Sequence, residues 1–245
     1  MPRVVCIVQA RTGSSRLPGK VLKELAGRPM LVHLIERLKA CAAYDRIVVA
    51  TTVNRRDDPV AELAGGAGVG VFRGDEEDVL SRYARAAVEF GAEVVVRVTA
   101  DCPLVDPVTS AETVRYFLSG DFDYAGAGVG SGLPRGLDTE VFTRAALEEA
   151  HRMATDQPSR EHVTYYIYHH PERFRLAPPY EAPPELQRSH YRLCVDEEDD
   201  FRLISEVYRR LYRPGEIIDI RDVIRLLDRE PALAAINSGV AQKTV

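Results

Sequence analysis

The chain has few cysteines, and they lie far apart. Four of its 245 residues are cysteine, and no two form a C-x-x-C pair. This spacing supports neither a zinc site nor a dense disulfide framework. We therefore expect reduced, buried cysteines, as in a cytosolic protein. The four are Cys6, Cys41, Cys102 and Cys194.

Long hydrophobic runs are also lacking. The apolar run at residues 4–8 has the length of a strand, and Arg11 follows soon after it. A run this short suits neither a signal peptide nor a membrane span. We expect a cytoplasmic protein that does not enter a membrane.

The chain also has no excess of positive charge. Lysine and arginine number 32 against 37 aspartate and glutamate residues, which gives a net charge of −5. Proteins that bind nucleic acid through bulk charge are basic, so we expect no nucleic-acid partner. Hydrophobic residues make up 45% of the chain, enough for a sizeable core.

The first hundred residues alternate between strand and helix patterns. Such alternation predicts a mostly parallel sheet with helices on both faces, and the continuous apolar strands fit burial on both sides. Ligands of such sheets bind beyond the carboxyl ends of the strands, so the loops that follow the strands should line one site. The predicted strands are 4–8, 46–52, 69–72 and 93–99, and the predicted helices are 30–42, 57–64 and 77–90.

The pattern is looser after residue 120, where glycine and proline are frequent. We expect strands at 137–142 and 191–195, helices at 143–153, 159–169, 201–212 and 220–228, and a frayed end at 237–245. Ser159 is predicted to cap the helix it begins. We divide the chain into one domain over 1–230, with an insertion at about 121–190, and a C-terminal tail over 231–245.

The loop after the first strand is rich in small residues and cations. It runs from Gln9 to Lys20 and contains Gly13, Ser14, Arg11 and Arg16. Small residues let backbone N–H groups approach an anion, and cations complement a polyphosphate. The glycine spacing is one residue too long for a P-loop. An ordinary solvated loop with surface cations is the alternative.

Two aspartates follow predicted strands at widely separated positions. Asp101 comes just after strand 93–99, and Asp196 comes just after strand 191–195. Mg²⁺ prefers one or two carboxylates together with substrate phosphates, so the two could converge on one ion. The alternatives are that Asp101 caps the turn before Pro103 and that Asp196 belongs to an acidic helix start. The macrodipole of that helix accounts for residues 197–200.

Several other charged residues lie near predicted strand ends or helix starts. Arg73 follows the third strand and could face a base or ribose, although an acidic helix start comes directly after it. A histidine on a helix, such as His162, is more often a structural partner than a ligand. The remaining candidates are Arg135, Asp138, Glu140 and Arg160.

Taken together, these segments resemble a known family. The loop from Ala10 to Lys20 is similar to that of the cytidylyltransferases that make CMP-linked 3-deoxy sugar acids, the CMP-Kdo synthetase group. The closer resemblance is to the spore-coat polysaccharide cytidylyltransferase branch, which is similar to CMP-sialic and CMP-pseudaminic acid synthetases. Four later segments carry it, in order: Phe-Arg-Gly, Asp-x-Pro-Leu, Pro-Arg-Gly-x-Asp-x-Glu and Arg-Glu-His-Val. It extends from residue 4 to about residue 224.

The resemblance implies a nucleotide-diphospho-sugar transferase (Rossmann-like) α/β fold, CTP as substrate, a sugar-acid acceptor, Mg²⁺ as cofactor and a homodimer. Asp101 and Asp196 are expected to hold the metal. Relatives often have a proline where this chain has Glu198 in the segment that contains Asp196. The expected nucleotide-binding residues are Ala10, Arg11, Thr12, Gly13, Ser14, Lys20 and Arg73. The expected catalytic residues are Arg16, Lys20 and Asp101. The expected acceptor-binding residues are Arg135, Asp138, Glu140, Arg160 and His162.

Three other functions remain open at the level of sequence. The chain could transfer a nucleotidyl group to a phosphate or phosphonate acceptor. It could be a glycosyltransferase that uses a nucleotide sugar, because similar folds carry that chemistry. It could also bind nucleotide without catalysis, although both candidate metal ligands are present.

Overall fold

The computed structural model describes residues 1–128 and 130–242. Its centre is a six-stranded sheet formed by β1 (Val4–Gln9), β4 (Arg46–Thr52), β5 (Gly70–Gly74), β6 (Val94–Thr99), β7 (Tyr124–Ala127) and β8 (Thr139–Thr143), and a small hairpin contributes β2 (Glu24–Leu25) and β3 (Arg28–Pro29). The strand order in the sheet is β5-β4-β1-β6-β8-β7. The first four strands in this order are parallel to one another, whereas β8 runs antiparallel to both β6 and β7.

Helices connect the strands and cover the sheet. The larger ones are α1 (Met30–Lys39), α2 (Asp58–Gly66), α3 (Val79–Glu89), α4 (Pro107–Leu118), α5 (Arg144–Met153), α8 (Glu198–Leu211) and α9 (Ile220–Arg229). Three short ones are α6 (Gln157–Glu161), α7 (Tyr165–His169) and α10 (Pro231–Ala234). No helix in the described part of the chain is both long and apolar enough to cross a membrane.

The sheet separates two hydrophobic cores. Along β1, Cys6 and Val8 point into one core and Val5 and Ile7 into the other, because side chains alternate across a strand. The first core contains α1, α8 and α9, and the second contains α3 and α5. The predicted mostly parallel mixed sheet between helices is therefore confirmed. All four cysteines are free and buried, as expected.

Several elements were absent from the sequence prediction, among them the small hairpin β2–β3, the short helix α10, helix α4 and strand β7. Helix α4 begins at Pro107 after a cap by Asp106, whose side chain accepts from the backbone N–H of Thr109. Strand β7 lies in the glycine-rich segment and pairs with β8. Tertiary pairing gives this segment its strand conformation, although its alanine and glycine have little preference for strands.

The predicted helix 159–169 is wrong in two respects. It is divided into α6 and α7 by a break at residues 162–164. Its cap is Asp156, which accepts from the backbone N–H of Ser159 at 2.9 Å, so Ser159 lies inside the helix rather than at its cap. The helix therefore starts earlier than predicted, at Gln157. Pro158 fits there because proline is tolerated in the first turn of a helix.

The expected strand 191–195 and the expected frayed end at 237–245 also need correction. Arg192 forms an isolated bridge to Arg135, in the connection before β8, and the segment is not a strand of the sheet. Within the predicted frayed end, Asn237 is buried and Gln242 Oε1 accepts from Arg192 Nη1, so these two residues contact the domain. Residues 243–245 lie outside the described residues.

Gly136 allows the segment 191–195 to approach the sheet. The backbone carbonyl of Arg135 accepts from the backbone N–H of Leu193 at 2.7 Å, and the backbone N–H of Arg135 donates to the carbonyl of Tyr191 at 3.1 Å. Gly136 has φ +98°, and a Cβ there would lie 2.5 Å from the backbone nitrogen of Cys194. A side chain at this position therefore meets backbone that has no room to move.

Gly136→Ala should destabilise the protein by about 3 kcal/mol, because it combines a strained φ with overlap against backbone. Gly68→Ala is the matched control, since Gly68 has φ +70° but open space around a Cβ. That control should lose only about 1 kcal/mol. Urea unfolding of the two variants measures the difference, and equal losses would contradict the steric argument.

Candidate active site

The carboxyl ends of the parallel strands gather several polar loops at one edge of the sheet. The loop at residues 10–19 follows β1, Asn54 follows β4, Asp75 follows β5 and Asp101 follows β6. Parallel strands bring these ends to the same side, as the sequence predicted. Asp196 reaches the same place from the segment before α8, through a backbone hydrogen bond of 2.8 Å from Val195 N–H to the carbonyl of Asp101.

Lys20 lies at the centre of this edge. Its Nζ donates to Asp101 Oδ2 at 3.2 Å, to Asp196 Oδ1 at 2.9 Å and to the carbonyl of Val195 at 2.7 Å. Gly19, in the left-handed region, turns the loop so that Lys20 begins a short 3₁₀ helix. The structure thus brings together the cation and the two aspartates that the sequence singled out, although they come from three distant segments.

Lys20 and Asp101 stabilise each other's charged forms. Burial alone would lower the pKa of Lys20, but the charges of Asp101 and Asp196 outweigh it and the pKa is raised. Burial alone would raise the pKa of Asp101, but the charge of Lys20 outweighs it and the pKa is lowered. The pair therefore remains ionised across the neutral range.

Arg16 adds a second cation beside Asp196. Its Nη2 lies 3.0 Å from Asp196 Oδ1, and its Nη1 lies 3.6 Å from Glu197 Oε1. The Nη1 atom is buried and has no hydrogen-bond partner among the described residues. A buried donor without an acceptor is costly, so this position favours an anionic ligand.

A completely buried carboxylate, Asp57, holds the loop after β1. Asp57 Oδ1 accepts from both the backbone N–H and the hydroxyl of Thr12, each at 2.7 Å, and its Oδ2 accepts from the hydroxyl of Thr52. The two donors of Thr12 are therefore occupied by the protein. Thr12 thereby fixes the conformation of the loop, and its contact with a nucleotide stays a prediction.

Other residues of the expected nucleotide site also have protein partners. Arg11 Nη1 donates to the carbonyl of Glu76 at 3.2 Å. A Cβ on Gly13 would lie 2.8 Å from Oε1 at the flexible end of the Glu76 side chain, so Gly13 lies close to the same residue that Arg11 contacts. Ala10 is buried, and the Ser14 hydroxyl accepts from Leu17 N–H at 3.3 Å.

Arg73 directs its guanidinium toward the protein. Its Nε donates to the carbonyl of Thr52 at 2.8 Å, and its Nη2 donates to that of Asn54 at 2.9 Å. Its Nη1 pairs with Asp58 at 2.7 Å. These contacts fix the connection after β4, and the contact of Arg73 with a nucleotide stays a prediction.

A second polar group lies on the sheet between β6 and β8, where Arg97 pairs with Glu140. Glu140 Oε1 accepts from the hydroxyls of Tyr124 at 2.8 Å and Thr164 at 2.7 Å. Burial would raise the pKa of Glu140, but the charge of Arg97 outweighs it and the pKa is lowered. Arg97 Nε donates to Gln9 at 3.3 Å, which joins this group to the end of β1.

The remaining residues expected to bind the acceptor substrate differ in whether their side chains already have protein partners. The Arg135 side chain has no hydrogen bond or ion pair with any described residue. Close to it, Asp138 Oδ2 accepts from Gly136 N–H at 2.8 Å, and burial raises the pKa of Asp138. Burial lowers the pKa of His162. Arg160 contacts His151 at 2.8 Å and Asp78 at 3.4 Å, so it is already engaged.

Sequence reasoning missed Asp57, Arg97 and Arg192. Arg97 interrupts a run of valines in β6, and a charge inside a buried strand was a signal that could have found it. Asp57 was assigned to a helix start, and nothing local marks it as a partner of Thr12. Arg192, which contacts Asp196 Oδ2 at 2.6 Å, lay in a segment that was assigned to a strand.

The donor set at this edge is compatible with a hard divalent cation. Two carboxylates, those of Asp101 and Asp196, share the Lys20 ammonium, and Mg²⁺ takes one or two carboxylates with phosphate oxygens and water. Within residues 1–128 and 130–242, no group of three or more His, Cys, Asp or Glu side chains is arranged to hold a metal.

Comparison with known proteins places this geometry in a family. A family model described as cytidylyltransferase matches residues 5–219. An uncharacterized protein of Methanocaldococcus jannaschii is 42% identical over 243 residues, which cover 99% of this chain and 97% of that protein. The spore coat polysaccharide biosynthesis protein SpsF of Bacillus subtilis is 34% identical, with 96% of this chain and 98% of that protein covered.

Solved structures agree with the fold. A cytidylyltransferase from Leptospira borgpetersenii superposes with a TM-score of 0.88 at 29% identity, over the whole of both chains. A CMP:2-keto-3-deoxy-manno-octonic acid synthetase complexed with CTP superposes with a TM-score of 0.63 at 15% identity, which covers 85% of this chain and 99% of that one. The fold, the matched family model and the full-length relatives together establish that this chain belongs to the cytidylyltransferase family and is a nucleotidyltransferase.

Proposed function

We propose that this enzyme transfers CMP from CTP to a sugar acid and releases pyrophosphate, in the synthesis of a surface polysaccharide. The observation that carries the proposal is the convergence of Lys20, Asp101 and Asp196 at the carboxyl edge of the sheet. The names of relatives support the substrates. A 3-deoxy-manno-octulosonate cytidylyltransferase of Trichlorobacter lovleyi is 35% identical over 116 residues, 47% of this chain and 45% of that enzyme. The proposal includes a homodimer, which the family resemblance implies, and a cytoplasmic location, which follows from the expectations drawn from the cysteine spacing and the short apolar runs.

The proposed reaction is a displacement at phosphorus. An oxygen of the acceptor attacks the α-phosphorus of CTP, and the bond from that phosphorus to the pyrophosphate oxygen breaks. Negative charge develops on the α-phosphoryl oxygens and on the departing pyrophosphate. Arg16 and Lys20 would stabilise this charge from fixed positions, because their side chains are held by Asp196 and Asp101 before the substrate arrives. Orientation of the two substrates supplies much of the remaining rate.

Asp101 and Asp196 would hold Mg²⁺ together with the triphosphate. When bound, the ion would neutralise charge on the phosphate oxygens. The carboxylates contact Lys20, so substrate binding would share them between the ammonium group and the metal.

Arg135 is the better of the two predicted clamps for the acceptor carboxylate. Its guanidinium is unpaired among the described residues, whereas Arg160 already contacts His151 and Asp78. A guanidinium binds a carboxylate through two parallel hydrogen bonds, which fixes orientation as well as position. His162 lies close enough to the Arg97–Glu140 ion pair for both charges to act on its pKa.

A pyrophosphate-release screen tests the proposal directly. Four nucleoside triphosphates are each combined with a set of 2-keto-3-deoxy sugar acids, sugar phosphates and phosphonates, with magnesium present. We expect release only with CTP and a sugar acid. Turnover with a phosphate or phosphonate acceptor, and not with a sugar acid, would mean that the enzyme acts on that acceptor class instead. Consumption of a nucleotide sugar without pyrophosphate release would indicate a glycosyltransferase.

Lys20→Ala should lower kcat by about 10²–10³, because it removes one fixed donor from the developing charge. Lys23→Ala is the matched control. Lys23 lies three residues further along and pairs with the exposed Glu198 at 2.8 Å, so its loss should change kcat by less than about twofold. Steady-state turnover of the two variants provides the measurement, and a near-normal kcat for Lys20→Ala would refute its role.

Arg135→Ala should raise the KM for the acceptor by about 10- to 100-fold, the loss expected for a charge-assisted hydrogen bond to a carboxylate. The KM for CTP should not change. Arg160→Ala serves as the comparison and should have a smaller effect, because its guanidinium is held by the protein. A larger effect from Arg160→Ala would reverse the assignment, and no effect from either would remove the clamp.

A further inference from the structure

Asp196 is supported from behind by a buried carboxylate. Asp200, in the first turn of α8, is completely buried. Its Oδ2 accepts from the backbone N–H of Asp196 at 2.9 Å and from that of Glu197 at 3.1 Å. The sequence pattern explains Asp200 as part of an acidic helix start, and the contact with Glu197 does form a capping box. Its burial and its bond to Asp196 go beyond that explanation.

Arg192 joins the same carboxylate to the side chain of Asp196. Its Nε donates to Asp200 Oδ1 at 2.9 Å, and its Nη2 donates to Asp196 Oδ2 at 2.6 Å. The other oxygen of Asp196, Oδ1, faces Lys20 and Arg16. Arg192 therefore fixes which oxygen of Asp196 is presented to the active site.

Asn237 completes this arrangement from the C-terminal end. Its side chain is 4% exposed, and its Nδ2 donates to Asp200 Oδ1 at 2.8 Å and to the carbonyl of Arg192 at 2.9 Å. Asn237 lies outside residues 5–219, the part of the chain that the family model matches. A short 3₁₀ helix at residues 235–237, which packs against α8, places it there.

We propose that Asp200 and Asn237 are positioning residues that hold Asp196 in the orientation needed to bind the metal, so that the C-terminal segment forms part of the active site. The inference rests on the proposed role of Asp196. Hydrogen-bond partners of metal-binding side chains orient those side chains, and their loss commonly costs 10- to 100-fold in metal affinity or activity. Asn237 would act in this way through Asp200 and Arg192.

Mn²⁺ binding to the enzyme–CTP complex, without acceptor, gives a readout that does not depend on turnover. We expect Asn237→Ala to weaken Mn²⁺ binding by about tenfold and to raise the magnesium concentration for half-maximal rate to a similar extent. The KM for the acceptor should stay within about twofold. Ser238→Ala is the matched control, because Ser238 is the next residue and, among the described residues, its exposed hydroxyl contacts only the carbonyl of Ala235. Titrations followed by electron paramagnetic resonance measure the binding.

Two further variants separate the possible outcomes. Asp200→Asn keeps the size of the side chain but weakens its hydrogen bond with Arg192. It should show the same loss of Mn²⁺ binding, and it replaces Asn237→Ala if that variant does not fold. A lower melting temperature with unchanged Mn²⁺ binding in both variants would mean a purely structural role and would overturn the inference. Asp196→Asn tests the foundation. If it binds Mn²⁺ normally, the proposed metal site fails, whereas loss only in Asp196→Asn would overturn the positioning role alone.

Discussion

The Lys20 ammonium group, held between two carboxylates, is the interaction on which the site depends. It joins segments that are 81 and 176 residues apart in the chain. Charged groups removed from water are costly unless they are paired and hydrogen-bonded, and here each charge has such a partner. The loop after β1, the turn after β6 and the segment before α8 therefore have to meet in one arrangement. That arrangement creates the edge at which, under the proposed function, a triphosphate would bind.

Two buried aspartates support this edge by accepting hydrogen bonds from residues that form it. Asp57 accepts hydrogen bonds from Thr12 and thereby fixes the loop after β1, and Asp200 accepts from the backbone of Asp196. Both carboxylates act in the same way, because a buried anion that accepts hydrogen bonds from several N–H or O–H donors holds those donors in one geometry. Neither residue has to touch a ligand in order to shape the site. They set the loop conformation and the aspartate orientation before substrate arrives.

The reversed strand β8 gives the second half of the molecule its polar group. Because β8 runs antiparallel to β6, Glu140 lies directly opposite Arg97. The pair is joined to Thr164, next to the break between α6 and α7, and to Gln9 at the end of β1. The expected acceptor side is thus connected to the nucleotide side through a continuous series of polar side chains. Arg135, in the connection that leads into β8, is a cation whose side chain has no partner among the described residues.

The sequence by itself determined the alternating strands and helices, the position of the loop after β1 and the placement of Lys20 and Asp101 beyond strand ends, because these follow from local periodicity and from the polarity of parallel strands. It also singled out Asp196, although by way of a strand that does not form. Only the tertiary structure decided the partners. Nothing within a few residues of Asp57, Arg97 or Asn237 specifies Thr12, Glu140 or Asp200 as the respective contact. Side chains that act through contacts distant in sequence leave no periodic pattern, so their roles become visible only when the chain is folded.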